Sequence, residues 1–235
     1  MKTEILQILR NTDGYVSGQQ LCDTLGVSRT AVWKVINQLK EEGYEIEAVR
    51  NRGYRIVEAA DVLNASGLKS RLHTKHIGSK VYYQSEIDST NSWLKRLAEE
   101  GAPDGSVTIA DMQSRGKGRR GRVWVTPFGT SIPFSILLRP DIRPERASML
   151  TLVMGLCVAE AMEQLYGMEV GIKWPNDVVV NGKKICGILT EMTMQAEYID
   201  SVIIGTGTNA NMQEFPEELQ DKATSLRNIL GKPVK

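Results

Sequence analysis

The sequence is poor in the residues that build disulfide frameworks and metal clusters. It has three cysteines and two histidines in 235 residues. Cys22, Cys157 and Cys186 are odd in number and far apart, which is typical of reduced thiols in a cytoplasm rather than of a secreted scaffold. His73 and His76 have no further metal-binding residues nearby. We interpret them as solvated side chains rather than as a metal site.

Long apolar runs are also missing. The N-terminus, Met1-Lys-Thr-Glu-Ile-Leu, has too few apolar residues in succession for a signal peptide. The most apolar stretch, residues 149–158, is too short to cross a bilayer. The formal net charge of +1 neither favours nor excludes nucleic acid, because local patches matter more than totals. We therefore expect a cytoplasmic protein with one large or two small domains and no membrane partner.

A basic, glycine-rich segment is the most informative part of the chain, Ser114-Arg-Gly-Lys-Gly-Arg-Arg-Gly-Arg-Val-Trp124. It puts five cations and three glycines in one loop, which no hydrophobic core requires. A flexible backbone with this charge is suited to closing over phosphates and a developing negative charge. The segment also matches G-x-G-x-x-G. However, a β-prone stretch broken by Pro127 follows it, so no helix N-terminus is available as in a dinucleotide-binding fold.

The first sixty residues have the pattern of a winged helix-turn-helix. Apolar spacing predicts three helices, with Ser17 and Ser28 as the N-caps of the second and third. The short Leu-Gly-Val-Ser connection between these two helices has the helix-turn-helix spacing. A hairpin with a basic tip follows over residues 44–57 as a wing. Positions 1–58 hold eight basic and eight acidic residues, so a small helical interaction domain stays open as an alternative.

Basic residues nevertheless concentrate at the start of the third helix and at the tip of the wing. These are the places where a recognition helix and its wing meet DNA. The predicted DNA-binding residues are Ser28, Arg29, Thr30, Lys34, Arg50 and Arg52. We place this domain at residues 1–61.

Residues 62–235 alternate strands with only a few helices, which favours an α+β fold over a doubly wound sheet. A short linking helix is predicted within residues 62–75, and Asn181-Gly182 predicts a tight hairpin. A long amphipathic helix is predicted over residues 144–166. Its predicted inward residues are Leu150, Val153, Met154, Cys157, Val158, Ala161 and Leu165.

Polar and charged residues cluster at the ends of these predicted strands. The Ser-Thr-Asn run at residues 89–91 can cap a helix, or it can present hydroxyl and amide groups to a ligand. In Lys173-Trp-Pro-Asn-Asp177, Asp177 can hold a magnesium ion against a triphosphate. Lys173 adds a phosphate-binding charge there. Lys184, by itself, is compatible with an ordinary solvated strand lysine.

Taken together, these motifs resemble the biotin protein ligases, specifically the bifunctional type that also represses the biotin operon. The resemblance covers essentially the whole chain, and it depends on the order and spacing of several short motifs. These are the winged helix-turn-helix, Asp88-Ser-Thr-Asn91, Gln113, the glycine–arginine loop, Lys173-Trp-Pro-Asn-Asp177, Lys184-Ile-Cys-Gly187 and Gly205-x-Gly-x-Asn209. The resemblance implies a class II synthetase-like catalytic domain at residues 62–235, with a mixed β-sheet and flanking helices.

The resemblance also implies a two-step reaction. Biotin and MgATP give biotinyl-5′-adenylate and pyrophosphate, and a lysine amine of a biotin carboxyl carrier protein or domain then attacks the mixed anhydride. Operator DNA and a homodimer of the adenylate-bound protein are the further partners implied. Two alternatives stay open: a DNA-binding biotin sensor whose ligase activity is weak or lost, and a lipoyl protein ligase.

Three sets of residues acquire roles from this resemblance. The expected catalytic residues are Lys184, Arg119 and Arg122, whose charges suit a carboxylate and a phosphate that must be brought together. The expected biotin-binding residues are Ser89, Thr90, Asn91, Gln113, Gly116, Lys117, Gly118, Arg119, Lys184, Gly187 and Gly205. The expected ATP-binding residues are Arg119, Arg122, Trp124, Lys173, Asn176, Asp177 and Asn209, with Asp177 as the magnesium ligand.

The chain departs from the family pattern at several positions. Lys117 stands where arginine is usual, Pro133 where an aromatic residue is usual, and Thr206 and Thr208 where apolar residues are usual. We expect the last three to change the shape of the biotin pocket. The family continues past residues 223–226 with more helix and a small SH3-like β-barrel, and we expect that domain to be absent.

Overall fold

The first part of the chain forms the three helices and the hairpin that its apolar spacing predicts. Its elements are α1 (Lys2–Arg10), α2 (Gly18–Leu25), α3 (Arg29–Glu41), β1 (Glu45–Val49) and β2 (Gly53–Glu58). Ser17 and Ser28 cap α2 and α3, each accepting a hydrogen bond from the backbone amide three residues further on. One face of α3 then packs on α1, with Val32 and Ile36 buried beside Leu6. The winged helix-turn-helix is therefore confirmed.

The computed structural model describes residues 1–58 and 63–234. The chain divides into two units, Met1–His73 and Thr74–Lys235. The predicted boundary between residues 61 and 62 lies outside the described residues. A short helix, α4 (Ala65–Lys69), belongs to the first unit, because Arg10 of α1 donates to the Gly67 carbonyl oxygen at 3.2 Å. The division between the two units thus falls at residues 73 and 74, and the boundary at residues 61 and 62 stays a prediction.

A seven-stranded mixed sheet forms the second unit. Its strands are β3 (Val81–Ile87), β4 (Val107–Gln113), β5 (Ser131–Leu138), β6 (Gly171–Lys173), β7 (Asp177–Val180), β8 (Lys183–Gln195) and β9 (Tyr198–Asn209). Their spatial order is β3-β4-β5-β9-β8-β7-β6. β3 and β4 pair in parallel, whereas the other neighbours pair antiparallel. The predicted α+β class is confirmed, and Asn181 and Gly182 take the positive φ values of their tight hairpin, 50° and 77°.

Helices lie on both faces of this sheet. These are α5 (Thr90–Glu99), α6 (Met149–Tyr166) and the short α7 (Leu226–Leu230). Leu94 of α5 packs with Ile203 of β9, whereas α6 packs with Val202 and Ile204. Because side chains alternate along a strand, Gly205 and Gly207 share the α5 face with Ile203. This alternation decides which residues of β9 face the cleft described below.

The face of α6 that meets the sheet differs from the predicted one. Its buried residues are Gly155, Ala159 and Met162. Four of the predicted inward residues are instead exposed: Val153, Cys157, Ala161 and Leu165. The helix is apolar around most of its circumference, so apolar spacing could not identify the side with small residues, which is the side that approaches the sheet closely.

The same segment is longer than the apolar stretch considered above. By length and composition alone, Pro144–Tyr166 is sufficient to cross a bilayer, with a mean hydropathy of 1.3. The apolar segment is therefore longer than residues 149–158. In the structure the segment packs on the sheet through α6.

We predict that Gly53→Ala destabilises the first unit strongly. Gly53 has φ +111°, and a Cβ there would lie 2.0 Å from the Val16 carbonyl oxygen. That clash with fixed backbone should cost more than about 3 kcal/mol. Hydrogen exchange of the β2 amides during urea unfolding measures the loss.

Gly14→Ala is the matched control, because Gly14 has φ +106° and open space around its Cβ position. It should cost only the strain of a positive φ, about 1–2 kcal/mol. Equal losses in the two variants would contradict the assigned clash.

Candidate active site

A cleft opens on the α5 face of the sheet, beneath the basic segment that we call the glycine loop (residues 114–124). Its lining residues are Ser89, Thr90, Asn91, Gln113, Lys117, Gly118, Arg119, Trp124, Asn176, Lys184, Gly187, Ile188, Leu189, Gly205, Thr206 and Gly207. Most of the predicted site residues are thus brought together. The predicted residues outside this lining are Gly116, Arg122, Lys173, Asp177 and Asn209.

The floor of the cleft is a set of hydrogen-bonded polar side chains. The Gln113 Oε1 atom accepts from the Thr90 amide at 2.8 Å and from the Thr90 hydroxyl at 3.1 Å. The Gln113 Nε2 atom donates to the hydroxyl of Thr126 at 3.2 Å. The Ser135 hydroxyl lies 2.8 Å from Thr90 Oγ1 and 2.6 Å from Asn91 Oδ1. Because a hydroxyl has one proton, Ser135 donates to one of these oxygens at a time.

Asn91 shapes this floor and has little left for a ligand. Its Nδ2 atom donates to the Leu189 carbonyl oxygen at 3.2 Å and to Glu191 Oε2 at 2.7 Å. A Cβ at Gly205 would lie 1.9 Å from Asn91 Oδ1, so glycine is required at position 205. Both amide protons of Asn91 are used within the protein. Asn91 therefore supports the cleft floor, and its direct contact with biotin stays a prediction.

Asp88 fixes the start of α5 beside the cleft. Its carboxylate accepts two hydrogen bonds from the Arg96 guanidinium, both at 2.8 Å, and one from the Ser89 amide at 2.8 Å. The bonds from Arg96 hold the pKa of Asp88 down to about 2. The Asp88 carbonyl oxygen also accepts from the Arg115 amide at 2.8 Å. Asp88 thus joins the N-terminus of α5 to the base of the glycine loop.

The glycine loop folds back on itself as a small hairpin. Lys117 and Val123 form an antiparallel bridge, and the Gly118 amide donates to the Arg122 carbonyl oxygen at 2.7 Å. A Cβ at Gly116 would lie 2.2 Å from the Trp124 carbonyl oxygen. This close approach of two backbone segments explains the glycine at position 116. Lys117 contributes its backbone to the hairpin, which a lysine does as well as the arginine usual in the family.

The Trp124 indole lies on two glycines that face each other across β8 and β9. Gly187 and Gly207 are paired in the sheet register. A Cβ at Gly207 would lie 2.4 Å from the indole Nε1, and one at Gly187 would lie 2.9 Å from the ring. Glycines at both positions therefore leave a flat strip of backbone on which a ring can lie. The Lys184 ammonium is 5.3 Å from the centroid of the same ring.

Lys184 is an ion-paired residue of the cleft rather than a solvated strand lysine. Its Nζ atom lies 2.6 Å from Asp177 Oδ1, with 29% and 26% of the two side chains exposed. Asp177 therefore adjoins the cleft through Lys184, although it is not part of the lining. This pairing brings the predicted catalytic cation and the predicted metal ligand together.

The predicted nucleotide-binding residues divide between the cleft and other places. Arg119 donates from Nη1 to Asn176 Oδ1 at 2.9 Å, and Asn176 donates to the Ile188 carbonyl oxygen at 3.0 Å. Lys173 and Arg122 are exposed. Asn209 is buried and donates to the Thr224 carbonyl oxygen at 3.1 Å. Asn209 thus braces the segment after β9, and its contact with ATP stays a prediction.

One of the three departures from the family pattern, Thr206, is among the residues that line the cleft, whereas Thr208 is outside that lining. Thr206 is paired with Ile188, and Thr208 with Cys186, so the alternation of side chains directs them to the α6 face. The expected effect of these threonines on the shape of the biotin pocket stays a prediction. Pro133 pairs with Gly207 and stays on the cleft face.

The first unit presents a separate basic surface. All six predicted DNA-binding residues are exposed: Ser28, Arg29, Thr30, Lys34, Arg50 and Arg52. Arg29 at the start of α3 is oriented by Gln19, whose Oε1 atom accepts from its Nη2 at 2.7 Å. Arg52 at the wing tip lies 4.4 Å from the centroid of the Tyr15 ring. Trp33 of α3 is 56% exposed beside this surface.

The fold and the site together define a winged-helix unit followed by a ligase-type α+β unit with a basic loop over its cleft. Residues 83–209 match the biotin/lipoate A/B protein ligase family, and residues 2–55 match a helix-turn-helix domain. The chain belongs to the biotin/lipoate A/B protein ligase family.

Similar proteins include the bifunctional ligase/repressor BirA of Bacillus spizizenii, 45% identical over 94% of this chain and 68% of that protein. BirA of Escherichia coli is 36% identical over 92% of this chain and 65% of its own length. The biotin protein ligase of Aquifex aeolicus in complex with biotin and ATP superposes with a TM-score of 0.58 and 39% identity, covering 67% of this chain and 63% of that one. The chain thus spans about two thirds of the length of these relatives.

Several residues that build the site had no signal in the sequence. Ser135, Glu191 and Thr126 bond floor residues from distant strands or loops, and each is an ordinary strand or loop residue when considered locally. Leu189 and Ile188 also line the cleft. They belong to an apolar stretch of β8 whose sequence is typical of core residues. Gly207 could have been found, because it lies between Gly205 and Asn209 in a motif already recognised.

We predict that the ion pair of Asp88 makes stability depend on acid pH. The pKa of Asp88 is lowered from 3.8 to about 2. Its contribution is therefore nearly complete above about pH 5 and is lost progressively as the pH falls through about 2. Asp88→Asn should cost at most about 1 kcal/mol near neutral pH, because the pair is partly exposed and screened. Urea unfolding at pH 2, 3, 5 and 7 measures the difference.

The same titration on Asp141→Asn is the control, since Asp141 is exposed. A gap between parent and Asp88→Asn that stays constant from pH 7 to pH 2 would show that the Arg96 pair does not stabilise the fold.

Proposed function

We propose that this chain is an ATP-dependent biotin protein ligase that also acts as a biotin-responsive transcriptional repressor. The observation that carries the proposal is the division of the cleft. One part is a neutral floor of amides and hydroxyls at Thr90 and Gln113, and the other carries the cations Lys184 and Arg119. A ligand with a polar uncharged ring and a carboxylate tail fits this division. The similarity to ligase/repressors and to a biotin- and ATP-bound ligase supports the same assignment.

The floor suits the ureido ring of biotin. A ureido group has both donors and a carbonyl acceptor, and the floor offers both kinds of partner in fixed positions at Ser89, Thr90 and Gln113. The Ser89 hydroxyl makes no capping bond to α5, although Ser89 is the N-cap residue. The dithiolane ring of lipoate has no such groups. The polar floor therefore favours biotin over lipoate.

The first step joins two anions, the biotin carboxylate and the α-phosphate of ATP. A carboxylate oxygen attacks the α-phosphorus, the bond to the bridging oxygen breaks, and pyrophosphate leaves. Repulsion between the anions is the main obstacle. Lys184 and Arg119, which both line the cleft, would neutralise this repulsion and stabilise the charge on phosphorus. Arg122 of the glycine loop, which is exposed, would neutralise charge on the departing phosphates.

The second step transfers the acyl group. The ε-amine of a lysine on a biotin carboxyl carrier protein attacks the carbonyl carbon of the adenylate. An amide forms, AMP leaves with the bonding electron pair, and the amine releases a proton. The glycine loop keeps water from the mixed anhydride until the acceptor arrives.

Magnesium fits this site only together with ATP. Among residues 1–58 and 63–234, no group of three or more histidine, cysteine, aspartate or glutamate side chains could hold a metal ion. Mg²⁺ is commonly held by one or two carboxylates and by substrate phosphates. Asp177 is the carboxylate that would hold it, and the ion would neutralise phosphate charge.

Regulation joins the two activities in this proposal. A repressor that reports on biotin needs a ligand that favours one of two states. Closure of the glycine loop over the adenylate would complete a surface for a homodimer, and a dimer would bring two copies of α3 to two half-sites of operator DNA.

We expect Lys184→Ala to lower the rate of adenylate synthesis on the order of 10²-fold, as for removal of one preorganised charge. Pyrophosphate release with labelled ATP and biotin is the measurement, and lipoate replaces biotin in a parallel assay. Lys184→Met, which keeps the aliphatic stem, should behave in the same way.

Lys183→Ala is the neighbouring control, because Lys183 donates to the Gln220 carbonyl oxygen at 3.0 Å outside the cleft. It should retain the parent rate. Equal pyrophosphate release by the Lys184 variants and the parent would refute the role of Lys184. Release with lipoate alone would point to a lipoyl ligase, and DNA binding without any release would point to a sensor.

We expect Arg29→Ala to weaken operator binding about tenfold or more without changing adenylate synthesis, since one base or phosphate contact is worth roughly 1–3 kcal/mol. Fluorescence anisotropy at one fixed salt concentration, with and without biotin plus ATP, measures the affinity. Sedimentation under the same conditions measures the dimer fraction.

Lys40→Ala, in the last turn of α3, is the control. If biotin plus ATP leaves both mass and operator affinity unchanged in the parent, the coupling is absent. If Arg29→Ala and Lys40→Ala bind alike, the start of α3 is not the recognition surface.

A further inference from the structure

Glu191 is an acidic residue beneath a loop of cations. It lies on β8, two residues after the cleft residue Leu189, and 42% of its side chain is exposed. The space between the glycine loop and β8 is lined by residues 114–123, Leu189 and Glu191. Glu191 is the one acidic side chain in that described lining. The cations that line it are Arg115, Lys117, Arg119, Arg120 and Arg122.

One oxygen of the Glu191 carboxylate is held by the cleft floor. Glu191 Oε2 accepts from Asn91 Nδ2 at 2.7 Å, the short distance typical of a charge-assisted hydrogen bond. Asn91 is itself fixed by Leu189, Ser135 and the close approach of Gly205. The carboxylate is therefore held in place by buried groups, although it is itself half exposed.

The other oxygen faces the glycine loop. Glu191 Oε1 lies 3.9 Å from Lys117 Nζ. Arg119, the next basic residue after Gly118, is directed instead to Asn176. Lys117 and Arg119 thus contact different groups, Lys117 the carboxylate of Glu191 on β8 and Arg119 the amide of Asn176.

The same set of bonds reaches the far end of the loop. From Asn91 it continues through Ser135 and Thr90 to Gln113, and Gln113 donates to Thr126, which is buried just after the loop. The loop is therefore attached to one hydrogen-bonded floor at both ends, near its start through Lys117 and after its end through Thr126.

We propose that Glu191 is a positioning residue that holds the glycine loop down on the cleft floor, linking Lys117 of the loop to Asn91 of the floor. The inference deepens the proposed function and rests on it, because closure of this loop is taken to retain the activated ligand. An exposed ion pair contributes little by itself. It gains effect here because Asn91 fixes the position of the carboxylate, so that Lys117 alone has to be ordered.

Glu191→Gln is the main test, since glutamine keeps the shape and can still accept from Asn91 but loses the charge. An arginine-specific protease acting on the ligand-free protein reports how often the loop opens at Arg119, Arg120 and Arg122. Cleavage should be about threefold to tenfold faster, as expected when an ion pair is lost and a charge-assisted bond is weakened.

Glu197→Gln is the matched control, because Glu197 is exposed at the tip of the β8–β9 hairpin. It should leave the cleavage rate unchanged. Lys117→Met should accelerate cleavage as much as Glu191→Gln does, and the double variant no further, because both changes remove one link. A merely structural role for Glu191 would give additive effects.

The second measurement is the rate at which biotinyl-5′-adenylate is released from Glu191→Gln and from Glu197→Gln. It should rise about threefold to tenfold for Glu191→Gln alone. Parent-like cleavage by the protease, or additive effects with Lys117→Met, overturns the inference even if adenylate forms normally. If no adenylate forms in the parent, the proposed function fails, whereas the cleavage experiment still decides the role of Glu191.

Discussion

The absence of side chains at three neighbouring positions of β8 and β9 is the constraint on which the site depends. At Gly187 and Gly207 a Cβ would meet the Trp124 ring, and at Gly205 it would meet the Asn91 amide. Any larger residue would separate the indole or the amide from the sheet. In the cleft the Trp124 ring and the Asn91 amide therefore lie closer to the backbone of the sheet than any residue with a Cβ would permit. The residues that line the cleft come from several stretches of the chain between residues 89 and 207.

Charge in the cleft is arranged so that each central cation already has a partner. Lys184 pairs with Asp177, Arg119 with Asn176 and Lys117 with Glu191. These partners keep the cations ordered in a place where like charges would otherwise repel one another. An incoming phosphate or carboxylate then takes the place of these partners, which bind the cations moderately. It does not have to order a flexible side chain. The hydroxyls and amides of the floor remain neutral, which separates recognition of a ring from the handling of anions.

Features that depend on residues close in sequence were predictable. The caps at Ser17 and Ser28, the hairpin at Asn181 and the glycine loop are decided by a few adjacent residues, and the order of the short motifs indicated the family. Features that depend on contacts between residues far apart in the sequence were not predictable. Asn91 and Glu191 are a hundred positions apart, and neither residue type indicates its partner. The buried side of α6 was missed for a related reason, since small residues rather than large apolar ones determined the contact with the sheet. The hydrogen bond from the Asn209 amide to the Thr224 carbonyl oxygen likewise had no signal in the motif that contains Asn209.

The backbone hairpin within the glycine loop has a kinetic consequence. Backbone hydrogen bonds join Gly118 to Arg122 and Trp124 to Gly116. The loop therefore does not need to unfold residue by residue in order to open. It can lift as one flap, pivoting where Asp88 and Thr126 hold its base. Movements of that kind occur over microseconds to milliseconds. The opening rate of the flap then sets the lifetime of a reactive acyl phosphate beneath it. Every side chain that holds the flap closed acts on that single rate.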